Sequence, residues 1–130
     1  MIENKFIKLC GLSSIIAALC YIGTAIFSII AGLTKPESIV DAGTYLVGFF
    51  DVKNLMATYG WFGIFGSIFT IPAILGFYQY LKKESPMQWI PAALIYHGVI
   101  LLTLGYIIPL IIGNNLASSY VSEIDPNLKN

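Results

Sequence analysis

The chain has 130 residues, 57% of them hydrophobic and only 11% charged, with seven basic side chains balancing seven acidic ones. Soluble domains carry about 25% charged residues, so the ionic surface here is too sparse for a soluble globule, and long uncharged runs point to a bilayer. The zero balance gives no drive toward nucleic acid, and because every basic residue is a lysine, bidentate guanidinium recognition of phosphate or carboxylate is excluded too.

The first uncharged run covers 9–34, between Lys8 and Lys35. As a helix it would be about 39 Å long, enough to cross a hydrocarbon layer of about 30 Å with tilt. Lys5 and Lys8 ahead of it resemble the start of a signal peptide. The apolar stretch of such a peptide is only about 7–15 residues, however. Leu19 is also too bulky for lipoprotein processing at Cys20. A retained transmembrane helix is therefore expected. Cys10 and Cys20 stand about 15 Å apart along it, beyond disulfide reach. They read as small packing residues, with acylation of Cys10 near the membrane edge as the alternative.

Within 38–50, Ile39, Val40, Gly43, Leu46, Val47 and Phe50 recur at helical spacing. The segment is too short to span, so an interfacial amphipathic helix or a partly re-entrant flap is expected, with a structured loop capping the bundle as the alternative. The second span is expected over 55–81, with a kink at Pro72. The third is expected over 90–113, with Pro91 suited to a first helical turn and Pro109 bending the exit. Only 82–89 remain between them, which makes these two spans a tight antiparallel hairpin. A polar tail, 114–130, comes last; it either ends the protein or leads on to further spans. The expected fold is all-α: one integral membrane domain over 1–130, a polytopic bundle of three transmembrane helices plus a short interfacial helix.

Orientation is set by the lysines. With the N-terminus in the cytoplasm, Lys5, Lys8, Lys82 and Lys83 lie inside and Lys35, Lys53 and Lys129 outside. Phe6, Tyr78, Tyr80 and Trp89 would anchor one interface, Tyr59 and Trp61 the other. The bias toward Ile, Lys and Asn suggests an AT-rich genome, hence a bacterial or archaeal cell membrane.

None of the three spans contains Asp, Glu, Lys or Arg. That excludes a carboxylate proton relay and a voltage sensor. No CxxC motif occurs, and a single histidine cannot build a zinc site. No catalytic residue, metal or cofactor is expected. The one intramembrane ionisable group is His97, roughly 10 Å inside the third span, at the depth of Ser13, Ser14 and Tyr78. It reads either as a neutral imidazole hydrogen-bonded to one of those hydroxyls or as a proton-handling or ligand-binding site.

Small residues form a second pattern. Cys20, Thr24, Ser28 and Gly32 recur every four positions, and Gly60, Gly63, Gly66, Ser67 and Thr70 crowd the second span. Such faces let helix backbones approach closely, so packing within the chain or against another copy or partner is expected. The glycine cluster is not a phosphate loop, since it lacks a following Lys-Ser/Thr.

Together these features suggest a non-enzymatic accessory or scaffold subunit that acts through helix packing. Its partners would be the lipid bilayer and a second copy or another membrane protein, with no nucleic acid. The alternative is a transport or permeation unit, either as a homo-oligomer or as a piece of a longer polytopic protein, flexing at Pro72 and Pro109. A membrane enzyme would have to rest on His97 with tyrosines, and nothing sets them at a diagnostic spacing.

Overall fold

A computed structural model describes residues 2–32, 42–82, 87 and 89–124, and among these no strand occurs. The elements are α1 (Ile2–Ile30), α2 (Ala42–Asp51), α3 (Lys53–Leu81), α4 (Trp89–Ile108), a π turn (Pro109–Gly113) and α5 (Asn114–Ile124). Three stretches are long and apolar enough to cross a membrane: Lys5–Ile30, Lys53–Leu81 and the continuous Trp89–Ile124.

Several boundaries differ from expectation. The first helix ends at Ile30 rather than at position 34. Its last turn tightens, Gly32 donating its N–H to the Ile29 carbonyl at 3.0 Å with φ at 74°, a left-handed conformation that glycine adopts without steric penalty. Gly32 thus ends the helix. The interfacial helix is α2, ten residues long; the expected start at 38–41 lies outside the described residues. The third helix runs on through Gly113 into α5, so the expected polar tail is helical as far as Ile124. Positions 125–130 lie outside the described residues. The kink expected at Pro72 does not break α3, which is one α-helix from Lys53 to Leu81.

Both α1 and α4 pack chiefly on α3, on different flanks. On one flank Cys10 lies on Gly76, Cys20 and Tyr21 lie on Gly66, and Phe62 lies on Gly23. On the other, the ring of Tyr106 covers Gly63 and Leu110 covers Gly60. Both pairings are antiparallel, so Lys5, Leu81 and Trp89 fall at one end of the bundle and Ala31, Met56 and Ala117 at the other. Every contact sets a bulky or polarizable side chain into the dent left by a glycine. Close approach of this kind yields dispersion contact between the helices.

The register can be tested directly. A Cβ at Gly66 would stand 3.3 Å from Cβ of Cys20, just short of the ~3.5–4.5 Å typical of disulfides, so a small outward shift suffices. Oxidation of Gly66→Cys by copper–phenanthroline should join α1 to α3. Fragments cut at a protease site inserted in 33–41 should then stay linked until reduced, while wild-type fragments separate. Separation in both would refute the register.

At the far end α2 and α5 pack on each other. Phe49 (5% exposed), Met56 (2%) and Ala117 (1%) form a small core, with Leu46, Phe50 and Tyr59 against it. The Phe49 ring also lies on Gly113, and Nζ of Lys53 stands 4.3 Å from the Phe50 ring centroid, a cation–π contact. The expected interfacial helix therefore docks mainly on α5. The π turn makes this geometry accessible. Pro109 has no N–H to give an α-helical ladder, and the Asn114 side-chain amide donates to the Leu110 carbonyl at 2.8 Å, holding the widened turn. A wider turn re-aims the helix beyond it: Val99 and Tyr106 are buried toward α3, whereas α5 buries Ala117 and Val121 and packs on α2.

Candidate functional site

Several hydroxyl groups along α1 and α3 bond to carbonyls of their own helix. Ser67, 1% exposed, donates to the Gly63 carbonyl at 2.9 Å, and Thr70 donates to that of Gly66 at 2.7 Å. With the Ser67 proton so engaged, the Tyr21 hydroxyl, 3.4 Å from Ser67 Oγ, is the donor of that pair. Thr70 Oγ1 lies 3.4 Å from the same tyrosine oxygen. Thr24, also buried, donates to the Cys20 carbonyl at 2.9 Å. The Tyr21 contacts with Ser67 and Thr70 tie α1 to α3. Tyr21 is absent from the expected packing residues, although its place beside Cys20 on the same stripe is legible.

Of the expected packing positions, Cys20, Thr24, Gly60, Gly63 and Ser67 lie in the helix contacts. Ser28 is only partly buried and returns its hydroxyl to the Ala25 carbonyl at 2.9 Å.

The expected polar site is dispersed. Ser13 is buried at 7% exposure, and Ser14 donates to the Cys10 carbonyl at 3.2 Å. His97 stands on an exposed side of α4, its Nδ1 2.8 Å from the Ala93 carbonyl oxygen and its ring edge-on to Tyr96, centroids 6.1 Å apart. Among the described residues no hydrogen bond joins His97 to Ser13, Ser14 or Tyr78. Equal depth does not bring His97 to the serines, because α1 and α4 each pack chiefly on α3.

His97 and Tyr78 do share a feature. A groove of about 380 Å³ runs between α3 and α4, floored by Ile71 and Ile74 and walled by Tyr78, Trp89, Tyr96 and His97. Tyr78 also lines a neighbouring cleft of about 250 Å³ with Ser14, Phe77 and Pro91.

A second exposed feature lies on α4, opposite its contact with α3. Leu94 (70% exposed), Leu101 (69%) and Ile108 (53%) alternate with Gly98 and Gly105. A Cβ added at either glycine would meet nothing within 4 Å. The i, i+4, i+7, i+11, i+14 recurrence was the signal for this face.

Among the described residues no group of three or more His, Cys, Asp or Glu is placed to hold a metal ion. No family model, curated protein or solved structure matches the chain.

Proposed function

We propose that this is an integral membrane protein, crossing the bilayer three times with its N-terminus in the cytoplasm. It serves as a non-enzymatic accessory or scaffold subunit that presents the outer face of α4 to another transmembrane helix. The antiparallel register supports the orientation, since it brings Lys5, Lys8 and Lys82 to one end.

The observation that carries the docking role is the open Leu/Gly alternation from Leu94 to Ile108. Glycine weakens a helix by about 0.8–1 kcal/mol relative to alanine, and lipid chains gain nothing specific from its dent. A second helix does gain, because its side chains enter holes at Gly98 and Gly105 flanked by large neighbours at heptad spacing. The glycines of α3 are filled in this way from within the chain; those of α4 are left for a partner.

Crosslinking in native membranes, then purification in mild detergent, tests the reading. Wild type should emerge in a complex, whereas Gly98→Leu combined with Gly105→Leu should emerge alone with unchanged helical content. Wild type recovered as a lone monomer from both treatments would refute docking. Recovery from a detergent-free soluble fraction would refute membrane insertion itself.

A further inference from the structure

The groove between α3 and α4 holds an unmet hydrogen-bonding demand. A carbonyl oxygen can only accept, so the 2.8 Å contact with Ala93 puts the proton of a neutral His97 ring on Nδ1. Nε2 is then a bare acceptor, and among the described residues nothing donates to it. A polar atom left without a partner in hydrocarbon is costly. Among the described residues no other helix covers His97, whose side of α4 is exposed, so a molecule dissolved in the bilayer can reach it.

Three features limit what that molecule is. His97 lies eight residues along α4 from Trp89, about 12 Å deep along the axis, below the level of charged headgroups. The groove, about 380 Å³, is near the small end of ligand sites, which run about 300–1,000 Å³; a two-chain phospholipid is too large. Its walls are aromatic, suited to stacking against a flat ring. We propose that the groove binds an uncharged, hydroxyl-bearing ring compound, a phenol or quinol, whose O–H donates to Nε2 of His97 while its ring packs between Trp89 and Tyr96. This rests on the reading that α3 and α4 span the bilayer. A quinone or ester offers acceptors alone and has nothing to give Nε2.

Because the chain contains one histidine, its imidazole ¹⁵N resonances report this site directly. Protein in lipid nanodiscs would be titrated with para-hexylphenol, with its methyl ether para-hexylanisole, and with decanol. The phenol should shift the Nε2 resonance saturably. The ether should bind about five- to ten-fold more weakly, the loss of one hydrogen bond, and leave Nε2 unmoved; decanol should barely shift it. An ether as effective as the phenol would overturn the hydrogen bond, and decanol matching the phenol would overturn the ring. His97→Phe keeps an aromatic wall and should abolish the advantage of phenol over ether, with helical content unchanged. Association through α4 is read by crosslinking and this site by resonance shift, so the two readings fail separately.

Discussion

Gly63→Leu should detach α4 from α3 and cost about 3 kcal/mol or more, at or beyond the upper end of overpacking penalties. A Cβ at this position would clash with the Cγ, Cδ1 and Cδ2 atoms of the Tyr106 ring. That ring has little freedom to yield: it is 9% exposed and meets Tyr59 edge-on with centroids 5.3 Å apart. The control is Gly98→Leu on α4, where an added side chain meets open space and the lone chain should gain about 0.5–1 kcal/mol, the helix propensity that glycine lacks. Unfolding in mixed micelles at low protein concentration measures both without interference from association. Equal stability of the two variants would contradict the placement of α4.

Phe49→Ala should have a comparable effect confined to the other end. Its ring fills the space between Met56, Ala117 and Gly113. Removing a buried phenylalanine typically costs about 3–5 kcal/mol, and the Tyr45 ring packed beside it, centroids 6.0 Å apart, loses its partner. Because α2 packs chiefly on α5, the loss should appear as local opening. Amide hydrogen exchange in α2 and α5 should accelerate by about a hundred-fold or more, the equivalent of 3 kcal/mol. Exchange in α1 and α3 should hardly change. Uniform acceleration would mean that the cap and the bundle open as one unit.

The three long helices were legible because charge-free runs of bilayer length have few alternative readings. Their ends were less so. The stop at Ile30 depends on the φ that Gly32 adopts, whereas composition alone carries the run on to position 34. The helix α5 was hidden by its own polarity: serines and asparagines suggest a connector, yet Leu116, Ala117, Tyr120, Val121 and Ile124 return at helical spacing. That spacing marks a stripe without naming what covers it, and here the cover is α2. The same gap separates sequence from site. Residue counting puts His97 level with Ser13, but level says nothing about which helix stands alongside. Likewise the glycines of α3 announced close approach, while the identity of the intruding group, a tyrosine ring at Gly63 and a leucine at Gly60, depends on register.

The widened turn at Pro109–Gly113 acts as a phase shifter. One residue's worth of rotation, about 100°, separates the azimuth that serves the bundle from the azimuth that serves the cap. Two docking directions are thereby written into a single unbroken rod, and the chain needs no loop to turn its grip from one neighbour to the next.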